Sequence, residues 1–255
     1  MFILCNIVTA FATFSRIPMP RIDYNEKNTK YSLCFFPLVG AVVGALVYLV
    51  FLLCEWLGVG SVLRAALMLA VPVLLTGGIH LDGYCDTVDA LSSFAPREKK
   101  LEILKDSRSG AFAIIYCVLW FALYGAALAE IGKAIVVVSL GFVFSRALSA
   151  LAVVNFRAAR ADGMGAHEKK SANRRAVNVA MAIWLILSAS GMILINPLCG
   201  VVGILAALLS FLYYRVRAYR QFGGFTGDLA GWFLQICELV ICLAVTLAER
   251  VGALL

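Results

Sequence analysis

Long apolar stretches separated by short polar segments make up most of the chain. The stretches with at most one charged residue are residues 31–54, 65–81, 109–129, 134–154, 176–214 and 229–248. A helix needs about 20 consecutive apolar residues to span a bilayer. The stretch 176–214 has 39 residues and is interrupted by Asn196-Pro197, which predicts two helices joined by a tight turn. The pattern therefore predicts an all-α, polytopic bundle of about seven transmembrane helices.

The first 14 residues are also apolar, but they are too few to span a membrane. No basic n-region precedes them, and Arg16 follows where a secretory signal would have a small-residue cleavage site. We interpret this segment as an interfacial or re-entrant piece that leads into the bundle.

The composition agrees with a membrane protein. Of the 255 residues, 62% are apolar and 15% are charged, whereas an ordinary globular domain has roughly 45–50% and about 25%. This balance argues against a cytosolic enzyme, a disordered tail, a disulfide-stabilised secreted domain and a nucleic-acid-binding protein. The eight cysteines are scattered without a C-x-x-C pair, which indicates small buried apolar side chains. No polar segment is long enough for a second domain, so residues 1–255 form a single membrane domain.

The charged residues, which sum to a net charge of +7, are distributed unevenly. Eighteen of the 22 Lys and Arg residues and 11 of the 15 Asp and Glu residues fall in the segments 15–30, 81–108, 155–175 and 215–228. Lys and Arg collect on the cytoplasmic side of a membrane protein. We therefore expect the N-terminus and these four segments in the cytoplasm and the C-terminus outside, with the chemistry on the cytoplasmic face.

Two features inside the apolar stretches concern packing. Arg146 and Glu238 are the charges that most need partners there, and pairing with each other is the simplest solution. Gly40 and Gly44 form a G-x-x-x-G pattern, which offers a close-packing face to another helix.

The densest group of acids follows the second apolar stretch. Asp82, Asp86 and Asp89 are spaced i, i+4 and i+7, which places them on one face of a helix. Like charges at a membrane boundary need a cationic partner, and oxygen-only ligands favour Mg²⁺ or Mn²⁺. We expect these acids to bind metal and take part in catalysis, while Gly77 and Gly78 let a ligand approach the backbone. The alternative is a solvated acidic helix end whose charges are balanced by nearby lysines.

Basic residues near these acids are candidates for binding phosphate. Asp106 and Arg108 precede the third apolar stretch; Asp106 could complete a metal site, while Arg108 and Lys105 could bind phosphate oxygens. Arg160 lies in a basic, glycine-containing loop that suits an anionic ligand. Anchoring of the protein at an anionic membrane surface would select the same cations.

The last polar segment combines glycines with a threonine and an acid. Backbone N–H groups at Gly223, Gly224 and Thr226 could cradle a phosphate ahead of the final helix. Asp228 could be a metal ligand or the N-cap of that helix. His80 is a further candidate for a general base or a ligand, and the sequence does not choose between it and the three clustered aspartates as the base.

Five motifs together resemble the cobalamin synthase family, the adenosylcobinamide-GDP ribazoletransferases. They are FATFSRIPMP at 11–20, FFPLVG at 35–40, GIHLDGYCDTVD at 78–89, KDSR at 105–108 and GGFTGD at 223–228. The aspartate-rich block joined to KDSR is the most specific of them. The chain departs from the family pattern at Cys85, Ala158, Ala161, Ala230 and Trp232, which weakens the comparison most in the third polar segment.

The resemblance implies a membrane enzyme in the plasma membrane of a bacterium or archaeon. A hydroxyl group of α-ribazole, or of its 5′-phosphate, would attack the cobinamide-proximal phosphorus of adenosylcobinamide-GDP, and GMP would leave. The resemblance implies Mg²⁺ at Asp82, Asp86, Asp89 and Asp228, and phosphate contacts from Arg108 and Arg160. The partners would be these small molecules and the lipid bilayer, without nucleic acid, and the oligomeric state stays open, a homo-oligomer included.

Two other functions fit part of the pattern. A CDP-alcohol phosphatidyltransferase also uses aspartates at a membrane face, but its D-G-x-x-A-R motif is absent because Thr87 stands at the position of the arginine. A transporter would have charges at the membrane midplane, whereas nearly all the acids here fall in the polar segments.

Overall fold

The computed structural model describes residues 2–22, 25–106 and 108–254, and it leaves the side chains of Phe2, Glu26 and Lys27 undescribed. Asp23 in the first polar segment and Ser107 in the KDSR motif therefore lie outside the described residues. The helices of the described part are α1 (Phe2–Phe14), α2 (Glu26–Thr29), α3 (Phe36–Trp56), α4 (Ser61–Thr76), α5 (Ile79–Ser92), α6 (Arg97–Ile103), α7 (Ala111–Glu130), α8 (Ile135–Asn155), α9 (Met164–Ser171), α10 (Arg174–Ile195), α11 (Pro197–Arg217) and α12 (Gly227–Gly252). A 3₁₀ turn (Ser32–Phe35) precedes α3, and a π-helical turn (Ala218–Phe222) follows α11.

The predicted all-α membrane bundle is confirmed. Six helices are each long and apolar enough to cross a bilayer alone: α3, α7, α8, α10, α11 and α12. α4 and α5 pass the same test only as a pair, which gives up to seven spans. The turn predicted at Asn196-Pro197 is also confirmed, because Asn196 ends α10 and caps α11 by accepting a hydrogen bond from the Cys199 N–H at 3.0 Å.

The span expected over residues 65–81 is not continuous. α4 ends at Thr76, and α5 leaves it at an angle of 92°. Gly77 and Gly78 lie between them with φ angles of 64° and 77°, left-handed values that favour glycine. At 16 residues α4 is about 24 Å long, shorter than the hydrocarbon core of about 30 Å. α4 alone is therefore shorter than a full span, and α5 continues from it in a different direction.

α8 is the most buried of the six long helices and packs against α3, α10 and α12. Gly40 and Gly44 of α3 lie against the backbone carbonyls of Phe142 and Ser139, where any larger side chain would collide. The close-packing role predicted for the G-x-x-x-G pattern is therefore confirmed, with α8 as the partner helix.

A buried ion pair links α8 to α12, as the sequence predicts. Arg146 Nη1 donates to Glu238 Oε1 at 2.7 Å, and only 1% and 3% of the two side chains are exposed. The Ser145 hydroxyl also donates to the same oxygen at 3.2 Å, and Arg146 donates to the carbonyl of Phe142. Each charge thus meets a partner inside the bundle.

The four charge-rich segments meet at one end of the bundle, called here the polar end. Lys105 Nζ lies 2.7 Å from Asp162 Oδ2, and the Asn173 N–H donates to the carbonyl of Lys30. α1 lies at this end too, because Asn6 accepts a hydrogen bond from the N–H of Tyr31. Its 13 residues form a short apolar helix, which agrees with an interfacial position.

The opposite end carries few charges, and several of them are paired. Glu249 accepts hydrogen bonds from the N–H groups of Gly132 and Ala134, at the loop between α7 and α8. Arg250 forms an ion pair with Glu130. The two ends therefore differ sharply in charge, as the segment counts indicate.

Candidate functional site at the polar end

Close backbone packing brings α5 against the first turn of α12. Gly83 is buried, and a Cβ atom there would lie only 2.8 Å from the carbonyl oxygen of Asp228. One turn further along, Gly231 lies against the backbone of His80 in the same way. Because Gly83 stands between Asp82 and Asp86 in the helix, this packing places their carboxyl groups close to Asp228.

The carboxyl groups on α5 influence one another electrostatically. Burial, followed by the negative charges of Asp82, Asp228 and Asp89 in that order, raises the pKa of Asp86 to about 7. Asp82 is exposed, whereas Asp86 and Asp89 are half-buried. The acids predicted from the i, i+4, i+7 spacing are therefore neighbours, and Asp228 from a different polar segment joins them.

Asp228 is held by an arginine and is not the helix cap. Its Oδ2 lies 3.2 Å from Arg160 Nη2 and accepts a further hydrogen bond from the Thr226 hydroxyl. Thr226 itself caps α12, since its Oγ1 accepts from the N–H of Leu229 at 3.2 Å. The N-cap alternative for Asp228 is therefore wrong, because Thr226 occupies that position.

A short backbone pairing positions Arg160. The N–H of Phe225 donates to the carbonyl of Arg157, and the N–H of Ala159 donates to the carbonyl of Phe225, at 2.8 and 2.9 Å. Arg157 also donates two hydrogen bonds to the carbonyl of Gly223. The loop after α8 is thus fastened to the loop before α12, which brings the Arg160 guanidinium to the acids.

The glycine loop before α12 uses several of its N–H groups within the protein. The N–H groups of Gly223, Gly224 and Phe225 bond to the carbonyls of Tyr219, Ala218 and Arg157. Gly223 has a φ of 75°, which allows the chain to turn out of the π-helical segment. In this structure those amides build the loop, which leaves them bonded within the protein.

Asp89 has a different surrounding from Asp82 and Asp86. Its two carboxylate oxygens accept hydrogen bonds from the N–H groups of Gly110 and Ala113, at 2.5 and 2.8 Å. These groups are the otherwise unpaired donors at the start of α7. Asp89 therefore fastens α5 to α7, a contact that fits a negative side chain at a helix N-terminus.

The residues of the KDSR motif lie on the exposed loop before α7. Asp106 and Arg108 pair with each other at 3.0 and 2.8 Å, and the hydrogen bonds from Arg108 lower the pKa of Asp106 to about 2. Lys105 pairs with Asp162, which lowers the pKa of that carboxyl. These side chains border the acids through Asp89, which bonds to the same loop, and 87% of the Arg108 side chain is exposed.

Gly77, Gly78 and His80 occupy the turn that leads into α5. Arg16 lies against Gly77, and its N–H donates to the carbonyl of Leu75 at 2.7 Å. Space lies open above Gly78, where a Cβ atom would meet nothing within 4 Å. His80 is buried, and its Nε2 has no hydrogen-bond partner among the described residues.

The acids do not form a finished metal-binding cage. Among the described residues, no three His, Cys, Asp or Glu side chains are arranged to hold a single metal ion. Mg²⁺ is ordinarily bound by one or two carboxylates together with water and substrate phosphates. Asp82 and Asp86 are neighbouring carboxylates close to Arg160, and this arrangement fits that mode of binding.

A cavity of about 190 Å³ opens beside the acids, between α5 and α9. Asp82, His80 and Asp228 line it together with Glu168, which sequence reasoning missed. Only 5% of Glu168 is exposed, although it lies in a lysine-rich polar segment. The one available signal is its i, i+3 spacing from Gly165, which places both on one face of a short helix.

Comparison with known proteins identifies similar chains. The family model for cobalamin-5-phosphate synthase matches residues 6–246. An adenosylcobinamide-GDP ribazoletransferase of Lachnoclostridium phytofermentans is 47% identical over 97% of this chain and 95% of its own. Proteins of the same name from Shewanella amazonensis and Clostridium botulinum are 35% and 30% identical, over 93% and 92% of this chain and 93% and 94% of their own. No solved structure matches the chain.

Proposed function

Because the chain belongs to the cobalamin-5-phosphate synthase family, we propose that its polar end carries out the reaction for which its relatives are named. The chain is a multi-pass membrane transferase of cobalamin synthesis. A hydroxyl group of α-ribazole, or of its 5′-phosphate, displaces GMP from adenosylcobinamide-GDP. The bond that forms joins the acceptor oxygen to the cobinamide-proximal phosphorus, and the bond that breaks is the one to GMP.

One observation supports placing this reaction at α5. The packing of Gly83 against Asp228 brings together acids from two polar segments that are far apart in sequence. Arg160 lies beside this group. Breaking a diphosphate requires cationic groups that stabilise charge on the leaving group. The Arg160 guanidinium supplies one such charge in a geometry that can reach two phosphate oxygens.

We assign Asp82 and Asp86 to hold Mg²⁺ together with the substrate diphosphate. Neither carboxylate forms an ion pair among the described residues, so both retain oxygens for a cation. When bound, Mg²⁺ would neutralise charge on the phosphate oxygens as the leaving group departs. Asp228 orients Arg160, and Asp89 fixes the position of α5 against α7.

The other functions considered fit less well. The phosphatidyltransferase alternative has no support in the family comparison. A transporter would be expected to keep an intramembrane charge accessible to an ion path. The charges of Arg146 and Glu238 are instead buried against each other.

We place the polar end in the cytoplasm and the C-terminus outside, because 18 of the 22 Lys and Arg residues fall in the segments that meet there. An enzymatic reporter fused to the C-terminus is expected to indicate an external position. A cytoplasmic signal would contradict this orientation, because α12 runs from the polar end to the opposite end, and would place the polar end outside.

Purified protein tests the assignment directly. Detergent-solubilised chain incubated with adenosylcobinamide-GDP and α-ribazole is expected to release GMP and form cobalamin only with a divalent cation. Asp82→Asn is expected to remove this turnover, while Glu102→Gln, on the exposed Lys99–Glu102 pair at the same end, retains it. Absence of product under every divalent ion would refute the enzyme assignment, and full activity of Asp82→Asn would refute the metal assignment.

A further inference from the structure

The cavity between α5 and α9 has an aromatic and apolar wall. We define this α5–α9 cavity by Phe14, Phe36, Leu234, His80 and Glu168, which all line it. The ring of Phe36 packs against that of Phe14 with centroids 4.2 Å apart and against His80 at 6.0 Å. Three rings from α1, α3 and α5 therefore form one continuous surface along one side of the cavity.

Two buried polar atoms in the wall lack partners. Glu168 Oε2 and His80 Nε2 have no hydrogen-bond partner among the described residues. Both residues are buried, with only 5% and 6% of their surface exposed, so water does not replace the missing partner. Burial raises the pKa of the Glu168 carboxyl to about 7, and a hydrogen bond with Ser32 opposes that rise. Leaving a buried polar atom unpaired is unfavourable, so such atoms mark places where a ligand supplies the missing bond.

The position of the cavity links it to the acids. Asp82 and Asp228 line the same space, and Met164, which is 53% exposed, lies at its rim on the side of α9. The polar side of the cavity is therefore next to the carboxylates assigned to Mg²⁺, whereas Phe14, Phe36 and Leu234 form its apolar wall. A ligand with an apolar aromatic part and a polar sugar would match both.

Both substrates of the proposed reaction carry an aromatic base on a ribose, and this inference rests on that proposed function. The lining contains no Lys or Arg side chain, so it offers no counter-charge to the diphosphate of the donor. The guanine edge carries several polar atoms that would need partners in an apolar wall. The benzimidazole of α-ribazole has a mostly apolar edge and one free ring nitrogen, which agrees better with these walls.

We propose that the α5–α9 cavity binds the acceptor nucleoside, with its aromatic base against Phe14 and Phe36 and a ribose hydroxyl donating to Glu168. The sugar then lies at the side of the cavity next to Asp82 and Asp228. Glu168 contacts the acceptor and determines its affinity and orientation, while the acids on α5 face the donor phosphate.

Equilibrium dialysis of the full chain in lipid nanodiscs tests the proposal without turnover. The probes are α-ribazole and its free base, 5,6-dimethylbenzimidazole, in the absence of adenosylcobinamide-GDP. Glu168→Leu is expected to weaken α-ribazole binding about tenfold or more, because it removes the hydrogen bond to the sugar. Binding of the free base should be unchanged. Ala230→Leu, which fills part of the cavity, should weaken binding of both probes.

Stability distinguishes a ligand-binding role from a structural one. Glu168→Leu removes a buried carboxyl whose Oε2 is unpaired, so its melting temperature should be maintained or raised, whereas loss of a structural contact would lower it. The variant should also raise the KM for α-ribazole without changing the KM for adenosylcobinamide-GDP. Glu102→Gln serves as the control on the same end of the bundle.

The outcomes separate this proposal from the assigned reaction. Unchanged α-ribazole affinity and KM in both cavity variants would overturn the cavity assignment even if the wild type makes cobalamin. A raised KM for the donor, or altered competition by GMP, would place guanosine in the cavity and overturn it as well. Binding of α-ribazole that depends on Glu168 in a wild type without turnover would support the cavity and refute only the reaction.

Discussion

Two acids of α12, Glu238 and Asp228, belong to groups of charged side chains whose charges are balanced very differently. In the bundle interior, Glu238 meets one cation, Arg146, at 2.7 Å and a hydroxyl from Ser145. At the polar end, Asp228 also meets one cation, Arg160, but the neighbouring Asp82 and Asp86 form no ion pair among the described residues. The interior group is balanced within the chain, whereas the polar-end group carries surplus negative charge.

This difference indicates that the interior pair serves helix packing, whereas the polar-end group serves ligand binding. A balanced pair between α8 and α12 leaves nothing for a ligand to neutralise, so its effect is on folding and helix register. Surplus carboxylates repel each other, which together with the larger effect of burial raises the pKa of Asp86, and they favour any bound cation. Variants of the two groups should therefore differ in whether they change stability or activity.

The largest effect is expected from Asp86→Asn, which removes charge from the surplus group. Turnover should fall about 10²–10³-fold, the usual loss when one electrostatic group that stabilises a transition state is removed. The melting temperature should not fall, because a mutual repulsion is relieved. Steady-state release of GMP and thermal unfolding in detergent measure the two quantities. Loss of stability equal to the loss of activity would contradict the assignment of Asp86 to the site.

Breaking the interior pair should act on stability instead. Arg146→Met leaves Glu238 buried without its cation, which is expected to destabilise the fold by about 3–5 kcal/mol. Replacing both residues, with Arg146→Met and Glu238→Leu together, should recover much of this loss because no charge is left unpaired. Unfolding measured for the single and double variants checks the prediction. A double variant no more stable than the single one would show that the pair is not the reason for the loss.

Asp89 should behave differently from its neighbours on α5. Asp89→Ala removes the acceptor for two N–H groups of α7 and is expected to lower stability by about 0.5–2 kcal/mol, as for other lost helix caps. Asp89→Asn retains one acceptor oxygen and should lose less. Turnover of Asp89→Asn is expected to exceed that of Asp86→Asn. Equal activity losses in the two asparagine variants would instead place Asp89 among the metal ligands.

The smallest effect is expected at the exposed pair of Lys105 and Asp162. Because 54% and 63% of the two side chains are exposed, Asp162→Asn should change the free energy of unfolding by less than about 1 kcal/mol. Denaturation at low and high salt measures this contribution. A larger, salt-sensitive loss would mean that compensated charges at the polar end also hold the fold together.

Much of the fold could be predicted from the sequence, because the features that determine the spans and the turn lie within short stretches of the chain. Charge-free stretches of sufficient length identify the spans, and Asn196-Pro197 breaks one of them in sequence as in structure. The pairing of Arg146 with Glu238 follows from the cost of burying either charge alone. The break at Gly77 was missed because the apolar stretch continues to Leu81, and hydropathy does not report that two successive glycines adopt left-handed angles.

The site was predicted less completely, because it depends on contacts between distant segments. The i, i+4, i+7 spacing identifies Asp82 and Asp86 as neighbours, but only packing shows that Asp89 faces the start of α7. Thr226 and Asp228 are two residues apart, and their roles as cap and arginine partner depend on where α12 begins. Glu168 was missed because its burial comes from packing against other helices, and its spacing from Gly165 is the one local signal.

Binding of a divalent cation to the substrate-free protein tests the comparison most directly. Mn²⁺, used as a spectroscopic substitute for Mg²⁺, can be titrated into nanodisc-embedded protein and followed by electron paramagnetic resonance. We expect weak binding in the wild type that Asp86→Asn or Asp82→Asn abolishes and that the double variant of Arg146 and Glu238 retains. Mn²⁺ binding that is unchanged in both aspartate variants would contradict the claim that the surplus carboxylates on α5 form the cation site.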